Sequence, residues 1–294
     1  MGPTAARGSR RRGGLEIAFR VGTYLALLLV LGPALWILGG VVARAVPHWR
    51  WDVLWTPTKG SSGGLEGAII GTLILMVGVL LIAGTIGVLA GIHLAELARP
   101  RKSGKPSGGV MRTAADVLSG FPSIVLGYVG YVALVVGLHW GYSLLPALLI
   151  LSIMVVPYIA KSTETAVRQV PTAYREGAEA LGMSMGYGLR KVILKSALPG
   201  IVTGLLIALA IACGETAPLL YTAGWSGSVW TGSFIGGHQF SYLTYPVWTF
   251  YNTSTESGHS LSYDAALLLL VIVLLLLVAS RIVVARTQRH AESH

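Results

Sequence analysis

One acidic residue of this sequence lies where an acid is costly, inside a long apolar stretch. Glu215 follows the uncharged run 201–211 and precedes Pro218 by three residues. An ionised carboxylate at bilayer depth costs about 2.5–3.5 kcal/mol and usually faces a cavity or a partner group. Pro218 lacks the N–H that would bond to the carbonyl of Gly214, so a helix is expected to break beside the carboxylate. We predict that Glu215, Thr216 and Pro218 line a substrate pathway. The alternative is that Glu215 pairs with a basic group for packing only.

A second group of residues lies in the polar segment 161–199. A short helix-forming stretch carries apolar residues beside charged ones, a pattern that favours docking of a partner. The apolar residues are Ala178, Ala180, Leu181, Met183 and Met185. The alternative is a solvated hairpin that only connects two spans.

Several other kinds of site are excluded. Cys213 is the sole cysteine, so no intramolecular disulfide can form, and no cysteine/histidine cluster has zinc-site spacing. The sequence has neither a G-x-x-x-x-G-K-[ST] loop for ATP nor the H-E-x-x-H pair of a metalloprotease. We therefore expect no catalytic residue, no metal and no cofactor.

The elements that would position these residues are membrane-spanning helices. Only 12% of the 294 residues are charged, against about 25% in a soluble domain. Uncharged stretches of about 20 residues are long enough to cross a bilayer. Six spans are predicted, at 21–43, 67–94, 121–138, 143–160, 199–215 and 265–284. Pro199 is expected in the first turn of the fifth span, and the pairs Gly67/Gly71 and Gly87/Gly91 predict close approach of another helix to the second span.

The basic residues predict the orientation of these spans. Nineteen of the 22 Lys and Arg residues lie in segments 1–20, 99–112, 161–198 and 281–294, and three lie in the alternate loops. Positive residues accumulate on the cytoplasmic side. Both termini are therefore predicted to be cytoplasmic, with a basic segment 1–20, a transmembrane domain 21–285 and a tail 286–294. Orientation and lipid headgroups account for the net charge of +10, so no nucleic acid partner is expected.

The segment 221–264 contains no Lys or Arg but many aromatic residues. Aromatic rings favour the membrane–water interface, and frequent glycines oppose a long helix. We predict an extracytoplasmic loop lying on the outer interface, as a structural belt or near a docking solute-binding protein. A re-entrant segment is the alternative.

The segment Arg175-Glu176-Gly177-Ala178-Glu179-Ala180-Leu181-Gly182 resembles the EAA loop of the membrane subunits of ABC importers. This resemblance implies an all-α type I importer permease fold, with a coupling helix seated in a groove of a cytoplasmic ATPase subunit. The coupling residues that it implies are Arg175, Glu176, Ala178, Glu179, Ala180, Leu181 and Gly182, and Gly182 permits the turn after the helix. Gly177 and Lys195 depart from the general pattern of that loop.

The segment Gly214-Glu215-Thr216-Ala217-Pro218-Leu219-Leu220 looks like the signature of PstA-type permeases of phosphate ABC importers, and 91–96, 121–127 and 199–204 match as well. The resemblance covers roughly 65–285. It implies a multi-pass subunit of the bacterial cytoplasmic membrane that moves inorganic phosphate. The implied partners are a homologous second permease, two ATPase subunits and an extracytoplasmic phosphate-binding protein. A permease for another oxyanion or small solute is the alternative.

One position departs from that family in a way that bears on the chemistry. An arginine commonly stands four residues before the glutamate, where this chain has Ile211. Arginine is a natural anion ligand, so the cation would have to come from the companion subunit.

The predicted orientation can be tested by labelling. Single cysteines at Ser103 and Ser257, in a Cys213→Ser background, should react with impermeant thiol reagents from opposite sides of intact membranes. Labelling of both positions from outside the cell would contradict the predicted orientation.

Overall fold

The computed structural model describes residues 5–97, 109–230 and 232–291, which are mostly helical. They contain five helices that are long and apolar enough to cross a membrane, and a bent pair of helices that makes a sixth span when counted as one. The predicted all-α membrane architecture is therefore confirmed, with five or six candidate spans. The bounds of several spans differ from the prediction.

The chain divides into two compact units, 1–49 and 50–294. The first contains helix α1 (Ala5–Ala45) and a short 3-10 turn at Val46–His48. Within the apolar part of this helix, the 18-residue window that could cross a membrane buries none of its residues. Such a helix, apolar on every side, is typical of a span that faces lipid or another subunit.

The second unit begins with a 3-10 turn (Trp51–Leu54) and a small antiparallel hairpin of β1 (Thr58–Lys59) and β2 (Ser62–Gly63). Its helices are α2 (Glu66–Glu96), α3 (Gly109–Gly120), α4 (Ser123–Gly137), α5 (Leu144–Arg168), α6 (Thr172–Ala180), α7 (Met185–Gly214), α8 (Ala217–Thr222), α9 (Thr244–Thr249) and α10 (Glu256–Ala291). The bent pair is α3 and α4, which meet at 98°. Helix α4 has 15 residues, about 22 Å at 1.5 Å per residue, and is shorter than the predicted span 121–138.

Helix α5 lies at the centre of the second unit. Two thirds of its apolar window is buried, and helices α2 and α7 contribute to the core around it. A Cβ added at Gly91 of α2 would lie 2.5 Å from the Cβ of Thr163 on α5, so the predicted close approach is confirmed for Gly87/Gly91. At Gly71 the close neighbour is the carbonyl of Ser241, which belongs to a loop and not to a helix.

The start of the fifth span was predicted wrongly. Helix α7 begins at Met185, and Pro199 lies inside it. Ile193, Ala197 and Ile201 form a buried cluster with the ends of α2 and α5. Because this packing extends the helix on both sides of the proline, the loss of one backbone hydrogen bond is tolerated. The segment 161–199 accordingly comprises the end of α5, the short helix α6 and the first half of α7.

Part of the aromatic segment 221–264 is buried in the protein core. Phe240 and Tyr242 are fully buried in the same core as α2, α5 and α7. The backbone N–H of Leu243 donates to the hydroxyl of Thr72 on α2 at 2.9 Å. This loop therefore folds into the bundle, because burying two large aromatic rings stabilises it more than leaving them at the surface.

Two glycines of α2 offer a matched test of this packing. We expect Gly91→Ala to lower the stability of the protein by about 1–3 kcal/mol, the usual cost of overpacking, because the new methyl would overlap Thr163. Gly84→Ala is the control, since its Cβ would lie 3.4 Å from the Leu205 side chain. Thermal unfolding of the purified protein in detergent measures both. Equal melting temperatures for the two variants would contradict the packing described here.

Candidate functional site

The apolar helix α7 stops at the acidic residue singled out above. Gly214 is its last residue, and Glu215 has extended backbone angles, φ −75° and ψ 132°. Helix α8 follows at once and has Pro218 in its first turn, where the missing N–H would have no helical partner. The predicted break beside the carboxylate is therefore present. We call residues 214–217 the Glu215 break.

Two other parts of the chain meet this break. The side chain of Ser123, at the start of α4, lies beside the Glu215 carboxyl and interacts with it. The hydroxyl of Thr244, at the start of α9, donates to the Glu215 backbone carbonyl at 3.0 Å. Glu215 thus meets α4 through its side chain and α9 through its backbone carbonyl, and the residue is half-buried.

Helices α4 and α8 pack closely beside the carboxylate. A Cβ at Gly127 of α4 would lie 2.7 Å from the Cα of Pro218 on α8, so only glycine allows this approach. Tyr128 and Tyr221 extend the contact with rings 6.0 Å apart, edge to face. The motifs 121–127 and 214–220 are far apart in the sequence but pack against each other in the structure.

The predicted pathway residues have different positions in this arrangement. Glu215 and Thr216 are half-buried, whereas Pro218 is buried against α4. Pro218 therefore shapes the break and does not line it. Ser123 was not predicted as a site residue. The only sequence feature that could have indicated it is the motif 121–127, in which it lies.

No basic side chain of the described residues forms an ion pair with Glu215. Ile211, one turn earlier on α7, is partly buried against the core. The described chain therefore offers an acceptor-only carboxylate next to a serine hydroxyl that can donate or accept. The carboxylate can accept a hydrogen bond from a ligand, and the hydroxyl can donate one to it.

The second candidate surface is formed by α6 and the turn that follows. Arg175 and Ala178 face the protein. The other predicted coupling residues are exposed, namely Glu176, Glu179, Ala180, Leu181 and Gly182. Leu181 is 76% exposed, although it lies among charged residues at the end of a surface helix. Gly182 adopts a left-handed backbone, φ +70°, and its N–H donates to the Glu179 carbonyl at 2.9 Å. The predicted short helix and glycine turn are present.

Comparison with known proteins shows which proteins share this sequence and architecture. The family described as "Binding-protein-dependent transport system inner membrane component" matches residues 83–289. The phosphate transport system permease protein PstA 2 of Mycobacterium bovis is 58% identical over 82% of this chain and 78% of its own length. The phosphate transport system permease protein PstA of Pasteurella multocida is 36% identical over 68% and 71%.

Solved structures give the same fold. A chain of the MetNI methionine ABC transporter, in an inward-facing conformation, superposes with a TM-score of 0.57 at 24% identity and covers 75% of this chain and 94% of its own. At that identity the likeness concerns the fold alone. The family match spans α7, the Glu215 break and the exposed helix α6 together. The chain therefore belongs to the family of binding-protein-dependent transport system inner membrane components.

Proposed function

We propose that this chain is a permease subunit of an ATP-driven importer that moves inorganic phosphate across the bacterial cytoplasmic membrane. A family member of this kind works with a binding protein, as the family description states, and it is not itself a catalyst. The finer assembly in the proposal has a homologous second permease, two ATPase subunits that hydrolyse ATP and an extracytoplasmic phosphate-binding protein.

The observation that carries the proposal is the Glu215 carboxylate beside the Ser123 hydroxyl at a break between two helices. Near neutral pH, phosphate still carries at least one acidic hydrogen, which an ionised carboxylate can accept. Sulfate offers no such hydrogen. A site built around an acceptor that is shielded from water disfavours an analogue that leaves the acceptor unpaired, and Glu215 is half-buried in this chain. The named relatives that are phosphate permeases support the same substrate.

Each site residue has a role in this proposal. Glu215 accepts the hydrogen of phosphate, and Thr216 and Ser123 supply hydroxyls that can bond its oxygens. Pro218 keeps α7 from continuing into α8 and so holds the pathway open at this point. Ile211 leaves this chain without an arginine on the preceding turn, and the companion permease supplies the cation.

In the same proposal, α6 transmits the work of ATP hydrolysis. Glu176, Glu179, Ala180, Leu181 and Gly182 form the outward surface that meets the ATPase subunit. Arg175 and Ala178 join this surface to the rest of the permease. Closure of the ATPase subunits moves α6 and opens the pathway outward, and hydrolysis returns it inward.

The pathway role predicts the behaviour of one isosteric variant. Glu215→Gln keeps the size of the side chain but removes the acceptor-only charge, and we expect phosphate uptake to fall by about 10- to 100-fold, the range for loss of a charged hydrogen bond. Uptake is measured in membrane vesicles in which assembly of the complex has been verified. Glu256→Gln, at the exposed start of α10, is the matched control and should leave uptake unchanged.

The outcomes separate the two interpretations of Glu215. Intact assembly with lost uptake supports a pathway role. Wild-type uptake would exclude that role, and lost assembly would indicate that Glu215 serves packing.

The coupling role predicts different effects at two exposed glycines near α6. Gly182→Val forces a β-branched residue into a left-handed backbone, which costs about 1–2 kcal/mol or more, and should strongly reduce uptake while the protein still inserts. Gly177→Ala is the control, because its added Cβ meets nothing within 4 Å and its φ is not positive. Uptake and solute-stimulated ATP hydrolysis of the complex are the measurements. If Gly182→Val keeps both at the level of Gly177→Ala, the segment is only a connector.

A further inference from the structure

The coupling helix α6 is joined to the bundle by a buried ion pair. Arg175 of α6 pairs with Glu96 at the last turn of α2, 79 residues earlier. Their side chains are only 10% and 7% exposed. A second nitrogen of the same guanidinium donates to the carbonyl of Val167 on α5 at 3.0 Å. One side chain therefore connects α2, α5 and α6.

Helix α6 has few other inward attachments. Ala178 is its one buried residue among the nine from Thr172 to Ala180, and a Cβ added at Gly188 would lie 3.4 Å from the Ala178 methyl, an ordinary van der Waals distance. A methyl contact has no preferred direction, whereas a guanidinium that bonds a carboxylate fixes both direction and distance. A displacement of α6 is therefore transmitted to the bundle chiefly through Arg175.

Stability alone does not explain such a pair. A buried ion pair often contributes no more to stability than apolar side chains of the same volume, and its best-attested use is to fix the register of the elements it joins. Here the elements are a surface helix and a membrane-spanning helix. The pair is therefore suited to holding α6 and α2 in one fixed relation.

The end of α2 is held by further arginines. The carbonyl of Leu94 accepts hydrogen bonds from Arg112 of α3 at 3.1 Å and from Arg168 of α5 at 3.4 Å. Glu164 pairs with both of these arginines at 2.9 Å. The last turn of α2 is thus the point at which α3, α5 and α6 converge.

The other half of α2 reaches the Glu215 break. Thr72 accepts a hydrogen bond from the N–H of Leu243 at 2.9 Å, and the next residue, Thr244, donates to the carbonyl of Glu215 at 3.0 Å. Thr72 and Glu96 are 24 residues apart on a continuous helix, about 36 Å at 1.5 Å per residue. Helix α2 therefore contacts the coupling helix near one end and the support of the break near the other.

We propose that the Glu96–Arg175 ion pair is the link through which the coupling helix moves α2 and, through Thr72 and Thr244, the Glu215 break. Arg175 is a positioning residue here, and Glu96 is its counterpart. The proposal rests on the function proposed above. It adds that motion reaches the pathway along α2, and not only along α5 or α7, which flank the coupling segment in sequence.

The test uses the whole complex in liposomes, with its ATPase and phosphate-binding protein, and measures phosphate taken up per ATP hydrolysed. Glu96→Gln and Arg175→Gln should each lower this ratio by about 5- to 150-fold, the usual range for loss of coupling between sites. The exchanged pair, Glu96→Arg with Arg175→Glu, should restore a large part of it. Asp116→Asn is the control, because its pair with Lys161 is 64% and 47% exposed, and it should leave the ratio unchanged.

Each outcome decides the proposal. A wild-type ratio in both single variants overturns it, and so does a lowered ratio in variants that assemble but are not rescued by the exchange. If the neutral or exchanged variants do not assemble, Glu96→Asp and Arg175→Lys keep both charges but shorten the link. A lowered ratio in these assembled variants supports the proposal, and an unchanged ratio overturns it.

The same experiment separates this proposal from the proposed substrate. If the unmodified complex transports another solute and not phosphate, the substrate is wrong, and the ratio is then measured with that solute. The dependence of the ratio on Glu96 and Arg175 remains the criterion for the link.

Discussion

Backbone polar groups inside a membrane must find partners within the protein, because lipid offers none. The break at Glu215 is the place where this chain must meet that constraint without a continuous helix. The Glu215 N–H still reaches the Ala212 carbonyl at 3.3 Å, and the Thr216 carbonyl accepts from Leu220 at 3.1 Å. The Glu215 carbonyl would be left over, and Thr244 satisfies it.

That requirement explains why the aromatic loop enters the bundle. Thr244 can reach the break only if the residues before it fold inward, and burial of Phe240 and Tyr242 stabilises this course. At Gly71 the loop passes so close to α2 that a Cβ would overlap the Ser241 carbonyl. The break in the helix thus requires the buried loop, and the buried loop requires small residues on α2 where it passes. An irregular backbone is tolerated here because protein surrounds it.

Sequence patterns predicted those features that local chemistry determines. Charge-free runs located the spans, Pro218 located the break, and Gly182 located the turn after α6, because each effect acts within a few residues. Features that depend on tertiary packing were missed. Pro199 is tolerated inside α7 because Ile193 and Ile201 are both buried, and the pairing of Ser123 with Glu215 joins segments about 90 residues apart. Helix α3 was not predicted either, because the charged residues Arg112 and Asp116 interrupt its apolar residues and leave no long uncharged run.

A carboxylate on the path of an anion is at first sight unfavourable, because like charges repel strongly where the effective dielectric constant is low. The same repulsion becomes useful when the site must release its substrate. Transport requires binding that is favourable enough for entry and weak enough for exit. In the proposed function, a hydrogen bond from phosphate to Glu215 would provide selection, while the neutral Ile211 would keep this chain from adding a strong attraction of its own. In the proposed pair of permeases, a cation on the companion can then supply attraction that changes as the two subunits move, so that one part of the site selects and the other sets the affinity.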